Sequence, residues 1–193
     1  MTNEYSHDYR GGGGGAGGGR GPSRGGHRGG GERRGVPLSA LDPTTTEASR
    51  KVIGAAIEVH RALGPGYARD VYHAALRSEL DALGVKHEVG KKISVKFKDR
   101  EVGTAECDLL VEGLFIVSVA ANPGPVSTPE RLALRAQLRA ANFELGLIVN
   151  FGERRLKDGL VRVVNIDKLR AEKGIGADDD LDDGPGPSHD FDQ

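Results

Sequence analysis

At Val85 the apolar residues of this chain change period, and that change limits the folds open to it. Upstream, "DPTTTEASRKVIGAAIEVHRALGPG" starts with cap-type residues and a proline. It then places Val52, Ile53, Ala56, Ile57, His60 and Leu63 at helical spacing before Gly64 stops it. A second helix is predicted from about Tyr67 to Leu83, with Val71, Ala74, Ala75, Leu76, Leu80 and Leu83 on its buried side and Gly84 as its stop. Downstream the period is two. Ile93, Val95 and Phe97 alternate with Ser94, Lys96 and Lys98, the pattern of a half-solvated strand toward a sheet edge, where Lys96, Lys98 and Arg100 guard against edge pairing. Asp99-Arg100 and Glu112-Gly113 are predicted turns, which makes a three-stranded antiparallel meander ending at Ala120. Thr128 as N-cap and Pro129 at the first helical position open a helix to about Asn142. "ELGLIVNF" reads as a central apolar strand, "LVRVVNI" as a shorter one, and a short helix closes the order near Lys173.

The packing pattern does not extend over the whole length. Fifteen of the 30 glycines lie between Gly11 and Gly35, a segment with too few apolar side chains to offset the entropy of ordering it. The last twenty residues hold seven aspartates and no Lys or Arg. The expected organisation is a disordered Gly/Arg-rich tail over 1–37, one domain over 38–173 and a disordered acidic tail over 174–193. The net charge of -1 therefore averages a basic front, a mildly basic domain and a strongly acidic end, and does not argue against a nucleic-acid partner. A single cysteine, Cys107, excludes an internal disulfide and a zinc site built on paired cysteines. No apolar run approaches membrane-spanning length and the N-terminus lacks the core of a signal peptide, so the expected setting is cytoplasmic, without a membrane partner.

"CDLLVEGLFIVSVAANPG" contains a lone carboxylate, Asp108, in a hairpin that otherwise suits burial. This hairpin, with "VIGAAIEVHRALGPGYARDVYHAAL", "AQL" at 136–138 and "LGLIVNFG" at 146–152, resembles the GxxExxY proteins, a branch of the PD-(D/E)XK nuclease superfamily. The resemblance covers about Arg50 to Asn165. It implies an α/β fold with a restriction-endonuclease-like core, a mixed central sheet flanked by helices. It also implies a phosphodiester site in which two or three carboxylates hold magnesium or manganese and a lysine orients water.

Matched residue by residue, the family's middle-strand aspartate is Asp108. Its Glu-x-Lys falls on Ser118 and Ala120, and the glutamate of the name motif falls on Arg69. Its helical glutamine is Gln137, and the tyrosine four residues later falls on Ala141. A serine hydroxyl is a weak neutral ligand, alanine offers nothing, and arginine places a fixed positive charge where a metal needs a negative one. The expectation is an inactive nuclease site with no cofactor; magnesium or manganese at Asp108 belongs to the alternative, a nuclease of reduced or altered chemistry. Asp70 adjoins the missing glutamate but points about 100° away on a helix. Glu58 is expected in a structural hydrogen bond or ion pair, and His60 as a packed side chain. For Asp108 two partners remain open: an ion pair with Arg69, or backbone hydrogen bonds near the turn.

DNA or RNA is the partner class that the composition suggests; no protein partner is indicated. Arg10, Arg24 and Arg28 each begin an Arg-Gly-Gly triplet, with Tyr5 and Tyr9 nearby, a pattern that combines phosphate contacts with base stacking; a solvated linker is the plainer account. Arg131, Arg135 and Arg139 form a stripe along one predicted helix, which a solvated face also explains, and Arg154, Arg155 and Lys157 crowd one loop. The acidic tail could compete with nucleic acid for the basic N-terminus, or keep the protein soluble.

Overall fold

The computed structural model describes residues 41–173. The two tails, with Arg10, Arg24 and Arg28, lie outside the described residues, as do Leu38 to Ala40 at the expected start of the domain.

Helix α1 runs Pro43–Leu63. Asp42 caps it by accepting a hydrogen bond from the Thr45 amide at 3.0 Å, Pro43 occupies the first turn where no amide partner is needed, and Gly64 at φ 66° ends it. Helix α2, Arg69–Ala82, buries Tyr72, Leu76 and Leu80, an i, i+4, i+8 stripe. Leu76 and Leu80 are buried as expected and Ala75 packs against the same core, but Val71 and Leu83 are 42% and 52% exposed, and Ala74 also faces solvent. Tyr72 is the largest side chain on this helix and sets the rotation, and Val71, about 100° away, is left outside.

The sheet has five strands in sequence order: β1 His87–Phe97, β2 Arg100–Val111, β3 Phe115–Ala120, β4 Leu145–Asn150 and β5 Leu160–Val164. Pairing is antiparallel except between β3 and β4, which run parallel because α3, Thr128–Ala141, carries the chain back between them. The mixed sheet flanked by helices is therefore present. β4 is buried at all six residues and lies one place from the middle, which β3 occupies.

β1 is at an edge, as expected, but Phe97 is 66% exposed. The register shifts between Val95 and Lys96, and the β1–β2 turn is centred one residue earlier than predicted, on Lys98-Asp99, with Lys98 at φ 54°. Val102, on the β2 side of the turn, is 61% exposed as well.

Two apolar layers separate across the sheet. Val52, Ile53 and Ala56 of α1 and Tyr72, Leu76 and Leu80 of α2 meet Leu109, Val117, Val119, Leu147 and Val149. Leu134 and Leu138 of α3 meet Cys107, Leu110, Ile116, Ile148 and Val163 on the other face. Alternate residues of β3 and β4 thus enter opposite cores, as the strand period requires. Ser127, not Thr128, caps α3. Its hydroxyl accepts from the Glu130 amide while the Glu130 carboxylate accepts from the Ser127 amide at 2.7 Å, a reciprocal capping box that shifts the helix start by one residue. The expected "GERRLKDG" loop contains a four-residue helix, α4 Leu156–Gly159, and α5 runs Ile166–Lys173. No helix among the described residues is long and apolar enough to cross a membrane.

Candidate functional site

The ladder between β2 and β3 ends at Leu109 opposite Val117. One residue before Leu109 on β2 the two strands part, and Asp108 stands in the fork. There the Val119 amide of β3 has no strand partner on this side, and the Asp108 carboxylate replaces it: the amide donates to Oδ2 at 2.8 Å. The Ser118 hydroxyl donates to the same oxygen at 3.2 Å.

Arg69 completes the arrangement from the first turn of α2. Its guanidinium Nη2 lies 2.6 Å from Asp108 Oδ1, and its Nε donates to the Val119 carbonyl at 2.8 Å. Carboxylate and guanidinium together satisfy both backbone groups of Val119, a residue only 2% exposed, and close a ring of charge-assisted hydrogen bonds. Of the two partners foreseen for Asp108 the ion pair with Arg69 is formed, and the backbone bond it also accepts comes from Val119 of β3 and not from the turn. Asp70 is 95% exposed, with its carboxylate 3.7 Å from the outer face of Arg69; the helix keeps it out of the fork.

The fork is braced from below by Tyr72. Its hydroxyl donates to the Gly64 carbonyl at 2.7 Å and accepts from the Tyr67 amide at 3.0 Å, which fixes the turn between α1 and α2; Gly64 and Gly66 adopt φ of 66° and 120°, values that favour glycine. The Tyr72 ring stacks on Phe151 at 4.7 Å, and the Phe151 amide donates to the Ala120 carbonyl at 2.8 Å. The turn, α2 and β3 are thereby joined through Tyr72 and Phe151. His60 stacks on Phe151 and bonds the Glu153 carbonyl at 2.9 Å, a packed histidine; Glu58 pairs with Arg61 on the surface.

The other predicted positions are distributed around this centre. Ala120 is buried at the end of β3. Gln137 reaches β2 from α3, its amide nitrogen donating to the Glu106 carbonyl at 3.2 Å, two residues from Asp108. Ala141 packs beside the α3-side core. The arginine stripe is not one solvated face: Arg131 and Arg135 are half-buried, and only Arg139 is fully exposed. In the 154–157 loop Arg155 pairs with Asp158 at 2.7 Å.

A second polar cluster, unforeseen from the sequence, lies at the ends of the parallel pair. Asn150 is 1% exposed. Its carbonyl oxygen accepts from the Asn122 and Gly152 amides at 3.0 and 3.1 Å, and its amide nitrogen donates to the Asn122 and Gly124 carbonyls at 2.8 and 3.0 Å. The Asn122 side chain passes this order on to Glu130 at 3.0 Å. Burial alone pushes the Glu130 carboxyl upward, but hydrogen bonds from the side chain and backbone of Ser127 and from Asn122 outweigh it and hold the group below its ordinary range. An asparagine interrupting "GLIVNF" was the available signal.

The chemistry of the fork does not fit a hard divalent cation. Its one carboxylate already faces a guanidinium, its hydroxyl donates to that carboxylate, and no group of three or more His, Cys, Asp or Glu side chains able to hold a metal occurs among the described residues. Neighbouring Cys107 is a buried thiol whose pKa burial pushes up, so it offers no thiolate.

Comparison with known proteins agrees with the architecture. No curated protein and no solved structure matches the chain. The family model of the PD-(D/E)XK nuclease superfamily matches residues 46–163, from the body of α1 through β5 and so across the fork. With that match spanning both helices before the meander and the β3–α3–β4 crossover, the chain belongs to the PD-(D/E)XK nuclease superfamily.

Proposed function

We propose that this domain is a GxxExxY-type member of the superfamily that has lost nuclease catalysis and works by binding nucleic acid or as an interaction module. The observation that carries the proposal is Arg69, whose guanidinium occupies the position where the family pattern has a carboxylate and neutralises Asp108 at 2.6 Å. Ser118 and Ala120, at the Glu and Lys positions, leave neither a second anionic ligand nor an ammonium to orient water. The nuclease fold is compatible with nucleic-acid binding, and the Arg-Gly-Gly triplets supply phosphate-seeking charge.

The retained Asp108 favours a second reading, a metal-dependent nuclease with altered chemistry. A nuclease assay across a magnesium and manganese titration separates the two. The pseudoenzyme reading expects no cleavage at any metal concentration; cleavage that Asp108→Ala abolishes overturns it. For binding, affinity for single-stranded DNA or RNA is expected to fall steeply with salt and to weaken when residues 1–35 are removed. Unchanged affinity after that deletion removes the Arg-rich segment from the reading.

A further inference from the structure

The β1–β2 hairpin is longer than the sheet that anchors it. β3 pairs with β2 only from Leu109 to Val111, so residues 90–97 of β1 and 100–108 of β2 form a two-stranded arm about 25 Å long beyond that ladder. A two-stranded ribbon is marginal in water without further packing. The inner half of the arm rests on α3: Gln137 bonds the Glu106 carbonyl, and Ile93 and Cys107 enter the α3-side core. The outer half leaves Phe97 and Val102 exposed. The Lys98 ammonium lies 5.6 Å from the Phe97 ring centre, and the ring is otherwise largely open to solvent.

Phe97 shares a face with an apolar groove. The register shift places its extra residue, Val102, on β2, so β1 keeps its alternation and Phe97 continues the stripe of Ile93 and Val95 on the α3 side. Between that stripe and the C-terminal half of α3 runs a groove of about 800 Å³, lined by Ile93, Val95, Cys107, Ala136, Ala140 and Phe143. Lys92 and Lys96 project from the opposite face of β1, across from Glu106 and Glu101, and Lys91 is paired with Glu88 at 2.9 Å. The α3 side of this edge is therefore apolar, and the small side chains of Ala136 and Ala140 leave room for a ring. The outer edge of β1 has no strand partner among the described residues. A protruding ring and a matching recess on one face of one edge strand are what a two-fold contact between identical chains requires, because each copy supplies both.

We propose that the partner of this surface is a second copy of the chain, in a two-fold dimer whose β1 edges pair antiparallel about Val95. Phe97 of each copy then lies across from Ile93 of the other and enters its groove against Ala140. The same register brings Asp99, which makes no ion pair with other described residues, toward Lys91 of the second copy, and sets Lys96 opposite Ser94. At the ends of the pairing Lys92 approaches Lys98 of the other copy, a like-charge contact that keeps the dimer weak. One strand and one inserted ring per copy also fall short of the ~1,600 Å² of a stable interface, so the dimer is reversible, half formed at about 10–100 µM. The inference is independent of the nucleic-acid reading.

Sedimentation velocity of the full chain from about 1 µM to about 1 mM tests it, and the average mass should rise toward that of two chains. Phe97→Asp and Ala140→Arg, both at exposed positions, should each raise the dissociation constant at least about tenfold while the melting temperature measured at low concentration stays put. Phe97→Ser, which adds no charge, should act in the same direction. Mixed in equal amounts, the Phe97→Asp and Ala140→Arg chains should associate again, because one native Phe97 then meets one native groove and the new carboxylate meets the new guanidinium at the other. A chain that stays monomeric throughout, a dimer that none of these substitutions weakens, or variants that do not recombine overturn the proposal. So does a monomer whose binding to a single-stranded oligonucleotide is weakened by Phe97→Asp, which would assign the arm to nucleic acid.

Discussion

Two polar clusters lie near the same end of the sheet, and they are built on opposite principles. At the β2–β3 fork the strands part and two side chains of opposite charge complete the hydrogen bonding of Val119, with Arg69 46% and Asp108 22% exposed. At the end of the β3–β4 pair the strands stay together, and a neutral, fully buried Asn150 uses its two donors and two acceptor positions on backbone. The first arrangement is partly open to water. The second is closed to it.

The largest expected effect is therefore at the neutral cluster. Asn150→Ala removes four hydrogen bonds and leaves the Asn122 and Gly152 amides without their acceptor. A cost of about 3 kcal/mol is expected, or roughly 10 °C in melting temperature, because the unpaired groups carry a desolvation penalty. Thermal unfolding and denaturant titration would measure it. A cost below that of breaking the fork would reverse the comparison.

These two clusters also mark how far the sequence could be read. Asp108 and Arg69 could be paired because Asp108 is a carboxylate in an apolar hairpin and Arg69 falls where the resemblance implies a glutamate. The order of the strands and longer helices followed from periodicity together with cap and turn residues, while the four-residue α4 did not. Asn150 was missed because a polar residue at the end of an apolar strand looks like a turn, and its four bonds go to Asn122, Gly124 and Gly152, in loops with no pattern of their own. Val71, Ala74 and Leu83 were misplaced on α2 because they are apolar like Leu76 and Leu80, and the packing of Tyr72 on Phe151 turns them outward. The half-burial of Arg131 and Arg135 likewise depends on how closely α3 lies on the sheet, which spacing does not report.

An intermediate effect is expected at the fork, and a double-mutant cycle sharpens it. Asp108→Ala strands the Val119 amide, and Arg69→Ala strands its carbonyl and leaves the carboxylate without a counter-charge. Each should cost about 2 kcal/mol, at the modest end for a charged hydrogen bond because water screens a half-exposed pair. The double variant should cost less than the sum by about 1 kcal/mol, the coupling expected of groups in direct contact. Strict additivity would mean that the two side chains hold Val119 separately and that the ion pair contributes nothing. Chemical denaturation of the four proteins decides between these outcomes.

The smallest effect belongs to Glu130, which links Asn122 of the neutral cluster to the charged cap of α3. Its folded carboxyl titrates below the ordinary value of 4.5, so its contribution is present above that value and is lost as pH falls through the lowered one. Glu130→Gln keeps one acceptor but not the charge. The wild type should be more stable than this variant by less than about 1 kcal/mol above pH 5, the scale of a partly solvated helix cap. That advantage should shrink to nothing in more acidic solution, where Glu130 is protonated in both states. An advantage that persists or grows in acid would place the stabilisation in the shape of the side chain and not in its charge. The capping box would then belong with Asn150, as a neutral brace, and the charge-based arrangement would be confined to the fork.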